Sequence, residues 1–294
     1  MWGAMDYTAC TLCPRACGVN RAAGQLGVCR MPGRLQVAKV MRHEWEEPAL
    51  AGPGGSGAIF FSGCTLGCLY CQNEEISAGG FGREMSAPAL RRTMEELIAQ
   101  GAENIDLVTP THFLPDILPA LAPKLPAPVV YNCGGYESVE TLRHLEGLVD
   151  IYLPDLKYAD GALAARLSGA ADYVPVAAAA IREMVRQTGP YQMEGERLRR
   201  GVMIRHLILP GQVENSLRVL DWIGETFPRG TVLVSLMRQY TPMPRVVGMP
   251  PLDRQVTQEE YEAVLSWMYL NNLEGFTQEA EAASEKYIPN FKKQ

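Results

Sequence analysis

From residue 57 onward the chain alternates short apolar runs with amphipathic stretches, and that alternation restricts the fold more than any other feature. Strand patterns over 57–63, 104–109, 128–133, 149–153, 201–209 and 231–236 are separated by helical patterns over 88–100, 113–121, 138–145, 177–186 and 216–226. A further helix is expected over 258–270. Ser86 is placed to cap the first helix and Gly101 to end it. Repeated βα units imply an α/β fold of parallel strands joined by right-handed crossovers. About six such units suit an incomplete parallel (β/α)6 barrel. A doubly wound open sheet produces the same pattern, and periodicity does not separate the two.

The first of these strands runs directly into Cys64, Cys68 and Cys71, spaced Cys-x3-Cys-x2-Cys with Tyr70 before the last cysteine. Three thiolates on one loop can hold three irons of a cubane cluster and leave the fourth iron open to a ligand. Zinc is the alternative, with these cysteines as part of a site completed elsewhere.

Residues 1–56 read as a separate Cys-rich segment and 57–294 as the main domain. Cys10, Cys13, Cys17 and Cys29 lie among Gly and Pro, with too few apolar residues for an independent core. They suggest a second metal site, either zinc or an auxiliary iron–sulfur cluster. The stretch 34–41 alternates like a strand that packs this segment on the main domain, and 52–57 reads as a Gly-rich linker. Eight cysteines without an export signal argue for metal or redox chemistry in the cytoplasm, not a disulfide framework. No apolar run is long enough to span a bilayer. A net charge of −6 gives no support for nucleic acid binding. An exposed cluster also implies life at low oxygen.

Polar residues gather at the strand ends: Thr109, Thr111 and His112, then Asn132, Asp155 and Lys157, then Arg205, His206 and Gln239. In a barrel this end carries the functional groups, and core packing explains such residues poorly. His206 follows Arg205 on a strand, so it points to the opposite face, toward the core or a helix. His112 reads either as a helix cap or as a substrate contact, and Cys133 as a packing thiol ahead of a catalytic one. The acidic stretch 274–285 reads as a solvated face.

The cysteine spacing, with an aromatic residue at Tyr70, resembles the radical S-adenosylmethionine (SAM) enzymes. The nearest likeness is to the branch typified by pyruvate formate-lyase activating enzyme, in relatives with an N-terminal Cys-rich segment. Asp155-Leu-Lys157 resembles that branch's Asp-x-Lys motif, Arg205 its Arg on a strand ending in Pro-Gly, and Asn132 its Asn-Gly motif. The resemblance implies the partial barrel of radical SAM type, with a [4Fe–4S] cluster on Cys64, Cys68 and Cys71. It further implies SAM contacts from Thr109, Thr111, Asn132, Asp155, Lys157, Arg205 and Gln239, and a flavodoxin- or ferredoxin-type reductant. Hydrogen abstraction from a small-molecule or peptide substrate is the expected reaction. Generation of a glycyl radical on a partner enzyme is the alternative, and a non-catalytic iron–sulfur or zinc protein a second one. Asp155 and Lys157 also read as a structural ion pair. Two departures stand out: Thr109-Pro-Thr111-His112 occupies the place of a Gly-Gly-Glu motif, and Gln239 that of a His. Both favour direct modification of a substrate over activation of a partner.

Overall fold

A computed structural model describes residues 5–78, 80–278 and 291 of the chain. After the Cys-rich segment come β1 (Gln36–His43), α1 (Pro48–Ala51), β2 (Ser56–Phe61), α2 (Glu74–Ser77) and β3 (Arg83–Glu84). The repeating units follow as α3 (Ala87–Ala99), β4 (Asn104–Val108), α4 (Leu114–Leu121), β5 (Val129–Cys133), α5 (Val139–Arg143) and β6 (Ile151–Pro154). The chain continues through α6 (Gly161–Ser168), α7 (Tyr173–Thr188), β7 (Gln192–Glu194), β8 (Arg197–Leu207) and α8 (Val213–Thr226). It closes with β9 (Leu233–Met237), α9 (Gln258–Leu270) and β10 (Gly275–Thr277). Every expected strand and helix is present within a few residues of its bounds. Elements with weak patterns were not anticipated, notably α6, which Asp160 caps at its start and left-handed Gly169 ends.

The strand order β10-β9-β8-β6-β5-β4-β2-β1-β3 decides between the two architectures. β2, β4, β5, β6, β8 and β9 follow one another in parallel without reversal. A doubly wound sheet reverses direction at a switch point, and none occurs here. The incomplete (β/α)6 arrangement is therefore the fold, extended by parallel β10 at one edge and by antiparallel β1 and β3 at the other.

Burial on both faces explains why the parallel strands are nearly all apolar. Alternate residues such as Ile59, Leu107, Tyr131, Tyr152, Ile204 and Leu236 pack outward in the core shared with the helices. The intervening residues Phe60, Val108, Asn132, Arg205 and Met237 face a single cavity, as a curved sheet requires. α3 shows the outer layer's logic, burying Leu90, Met94 and Leu97 at helical spacing behind a Ser86 cap.

Residues 36–51, grouped by sequence with the Cys-rich segment, are built into the barrel. β1 pairs with β2, with His43 opposite Ser56 at the N-terminal end of that strand. The chain then turns beneath the sheet. Leu50 accepts a hydrogen bond from Asn104 Nδ2 at 2.9 Å, and Pro48 accepts one from Arg197 at 3.0 Å. Ala49 and Leu50 pack against Val130, Ile151, Leu153, Met203 and Leu233. The short α1 thus forms the floor of the barrel. Among the described residues no helix is long and apolar enough to cross a membrane. The acidic stretch expected over 274–285 lies outside the described residues from 279 onward.

Candidate active site

The loop of Cys64, Cys68 and Cys71 leaves the C-terminal end of β2 through Gly63, whose φ of 81° favours glycine. A side chain there would also strike Met31 Cγ at 2.4 Å and Cys29 O at 2.6 Å, so the Cys-rich segment lies directly against the turn. Each of the three sulfurs accepts a hydrogen bond. Leu66 N donates to Cys64 at 3.4 Å, Ser168 Oγ to Cys68 at 2.9 Å and Ser77 Oγ to Cys71 at 3.5 Å. Ser168 continues a hydroxyl chain through Tyr158 at 2.6 Å to Tyr70 at 2.8 Å.

Burial, and then the neighbouring Cys68 and Cys71, push the Cys64 thiol up to about 12. Bound iron would hold these sulfurs as thiolates and release their protons. Among the described residues, no three Cys, His, Asp or Glu side chains converge as around one ion. A cubane makes no such demand, because its protein sulfurs sit on separate irons at its corners. Three neighbouring thiols, each supplied with a donor, fit that group.

The loop opens onto a cavity of about 240 Å³ lined by Thr109, Asn132, Asp155, Lys157, Arg205 and Gln239 as well as the three cysteines. Arg205 organises its polar wall. It donates to Asp155 Oδ1 at 2.8 Å and to Asn132 Oδ1 at 2.6 Å, and pairs with Glu46 at 3.4 Å. Lys157 Nζ holds the other Asp155 oxygen at 2.5 Å. Burial alone would raise the Asp155 pKa, but Arg205 and then Lys157 outweigh it and keep the carboxyl below its ordinary value. Thr109 sits at the rim with φ 59°, a left-handed conformation that strains a β-branched residue.

A family model described as a 4Fe-4S single cluster domain matches residues 50–112. An uncharacterized protein of Methanocaldococcus jannaschii is 29% identical over 278 residues, covering 91% of this chain and 76% of its own. A radical SAM methyltransferase from Sphaerobacter thermophilus superposes with a TM-score of 0.53 at 16% identity, over 94% of this chain and 84% of that one. Streptococcus suis SuiB bound to SAM superposes with a TM-score of 0.52 at 15% identity, over 76% of this chain. The match spans 52% of SuiB, about half its length. SuiB has also been solved with its precursor peptide SuiA.

The fold is the radical SAM fold.

Within that fold, six of the seven residues expected to contact SAM line the one cavity. Thr111 does not. It turns away to donate to Glu137 at 3.0 Å and to accept from Tyr131, because a 3-10 turn over Thr111–Phe113 follows β4 after only two residues. His112 makes no side-chain cap and does not line the cavity. Its Nε2 bonds Ser62 O at 2.7 Å beneath the cluster loop, and burial lowers its pKa to about 3, keeping it neutral. His206 faces α8, bonding Ser216 at 2.9 Å and Leu156 O at 2.6 Å. Burial raises the Cys133 thiol well above its ordinary value, and Cys133 lines the cavity beside Asn132.

Glu46, Glu47 and Asp106 escaped the sequence reading although they complete the polar interior. Asp106 had a legible signal, a carboxyl in the middle of an apolar strand. Glu46 and Glu47 had none, since they precede a segment that reads as linker.

The Cys-rich segment is clamped onto this site by two arginines. Arg15 donates to Thr65 O at 2.9 Å, to Ser168 O at 2.9 Å and to Gly169 O, bridging the cluster loop and α6. Arg21, 1% exposed, donates to Met31 O at 3.0 Å and to His112 O at 2.7 Å. Cys10, Cys13 and Cys29 are buried and Cys17 half-buried. A side chain at Gly27 would stand 3.2 Å from the Cys29 sulfur and 3.6 Å from that of Cys17, filling the space between them.

Proposed function

We propose that this chain is a radical SAM enzyme that removes a hydrogen atom from a small-molecule or peptide substrate. The observation carrying this reading is a three-cysteine loop that opens, at the C-terminal ends of parallel strands, onto one cavity holding Asn132, Asp155, Lys157 and Arg205. When bound and reduced by one electron, a [4Fe–4S] cluster with SAM on its open iron supplies a carbon radical able to abstract hydrogen.

The chain's own residues position and shield that chemistry. Cys64, Cys68 and Cys71 hold the cluster. Asp155 suits the SAM ammonium, while Lys157 and Arg205 suit its carboxylate. Thr109, Asn132 and Gln239 orient the remaining polar groups, and Phe60, Val108 and Met237 keep bulk water from the cavity wall. A flavodoxin- or ferredoxin-type protein donates the electron. The SuiB complex with its precursor peptide supports a peptide as one substrate class.

Cys10, Cys13, Cys17 and Cys29 form a second metal unit, supported by the space that Gly27 leaves between two of their sulfurs; zinc would require them to draw together around one ion, and iron–sulfur would not. Counting iron, sulfide and zinc in the wild type and in a Cys10→Ala/Cys13→Ala variant assigns the metal. Zinc lost with iron unchanged identifies zinc, and iron lost identifies a cluster.

The central test is anaerobic reconstitution followed by SAM and dithionite. Release of 5′-deoxyadenosine is expected. Its absence from protein fully loaded with iron overturns the reading.

Ser168 provides a finer prediction. A hydrogen bond to a cluster sulfur favours the more negative, reduced state. Ser168→Ala should therefore lower the cluster's reduction potential by about 40 mV, equivalent to roughly 1 kcal/mol of hydrogen-bond energy for one electron. Redox titration followed by EPR measures it, and an unchanged potential removes Ser168 from this role.

A further inference from the structure

The cavity floor holds more acid than its cations balance. Glu46, Glu47, Asp106 and Asp155 surround Arg205. Asp155 pairs with Lys157 and Arg205, at 2.5 and 2.8 Å. Among the described residues Glu46 shares Arg205, at 3.4 Å, and Glu47 and Asp106 form no ion pair of their own. Glu47 is satisfied by Ser235 Oγ at 2.8 Å. Asp106 is not satisfied: its Oδ2 accepts from Asn132 at 3.3 Å, but Oδ1 has no partner on a residue that is 0% exposed. Asp106 also lies against the Glu46 carboxyl, another acceptor.

A second, independent buried atom is also unpartnered. His43 Nδ1 has no partner although the residue is 9% exposed, and His43 lines the cavity beside Glu46. The indole of Trp45, 62% exposed, forms part of the same lining. Unsatisfied buried acceptors are costly, and two facing carboxylates need a donor between them.

We propose that this floor recognises a cationic nitrogen of the substrate, an ammonium or guanidinium, with Glu46 and the adjacent Asp106 as its carboxylate partners and His43 Nδ1 beside them. The inference rests on the proposed radical SAM reading and narrows its substrate class. The cluster loop leaves the opposite, C-terminal end of the strands, so a nitrogen anchored at the floor leaves the rest of the substrate directed up toward the reacting centre.

Without the ligand, protons take its place. Burial first, and the adjacent Glu46 second, hold the Asp106 carboxyl well above its ordinary range. Burial likewise raises Glu47 to about 7. An entering cation displaces such a proton, because it neutralises the same carboxyl pair.

Isothermal titration calorimetry on the full-length protein, as purified and after anaerobic reconstitution, tests this at pH 7. The probes are n-butylammonium, n-butylguanidinium, n-butanol and n-butyrate. Either cation should bind at least about tenfold more tightly than the alcohol, the effect of one charge-assisted hydrogen bond. The apparent enthalpy should vary with the buffer's ionisation enthalpy, reporting the released proton. The tighter of the two cations identifies the nitrogen.

Glu46→Gln should remove most of that preference, and Glu44→Gln, an exposed neighbour outside the cavity lining, should retain it. Asp106→Asn, which can keep a polar partner for Asn132, serves if Glu46→Gln does not fold. Equal binding of alcohol and cations, or an unchanged preference in both floor variants, overturns the inference and leaves the floor as a water site. Protein that cleaves SAM but ignores both cations keeps the proposed reaction and loses this substrate class. Cation binding without SAM cleavage does the reverse.

Discussion

Cys68→Ala protein, reconstituted without oxygen, should fold normally yet release no 5′-deoxyadenosine from SAM above background. The side chain is small, and its loss leaves a space no larger than one sulfur in a loop held elsewhere by Arg15. Circular dichroism and thermal melting of the apoprotein should shift by no more than about 1 kcal/mol, the range of a minor core truncation. Cluster retention is a different matter. Two thiolates cannot replace three, and the visible absorption of the cluster loop should be lost while any metal on the N-terminal cysteines is kept. Measuring iron, absorption and nucleoside product on the same sample separates the outcomes. Undiminished product would remove this loop from the reaction.

Arg205→Ala carries the largest expected stability effect. The guanidinium answers Asp155, Glu46 and Asn132 at once, with only 15% of its side chain exposed. Removing it strands carboxylates in a buried site, a change that typically costs about 3–5 kcal/mol. For a chain of 294 residues that corresponds to a fall in Tm of about 5–8 °C.

The pH dependence has a definite sign. In the wild type the depressed Asp155 contributes stability above its unfolded pKa, and loses it as pH falls through the lower folded value. In the variant, carboxyls without their cation have raised folded pKa values, so protonation relieves them. The stability gap should therefore be widest near neutral pH and close on acidification. Arg205→Lys should recover only part of it, because an ammonium cannot reproduce the two-sided fork. A constant gap across pH would mean that the loss is one of packing alone.

Much of this molecule is readable one segment at a time. The apolar strands of the parallel sheet are legible because both their faces are buried, so no polar alternation interrupts them. The cysteine loop is equally local, three cysteines within eight residues after a strand pattern that ends in glycine. Ser86, Gly101 and the apolar spacing between them define α3 without outside help. α6 and α1 were missed for the opposite reason: they are short, weakly patterned and stabilised by what they pack against. Thr111 shows how little separates two outcomes, since a turn begun two residues after the strand aims it at Glu137 and away from the cavity.

Local covalent order thus determined the succession of strands and helices, the cluster loop and the strand-end side chains Asn132, Asp155, Lys157 and Arg205. Tertiary structure alone decided that the sheet winds in one direction, that α1 closes its base and that Glu46 meets Arg205 across 159 positions of sequence. The reason is physical. Secondary structure and loop ligation follow from neighbours along the chain, whereas a buried carboxyl acquires its partners only when the curved sheet brings distant strands around one enclosed space of low dielectric.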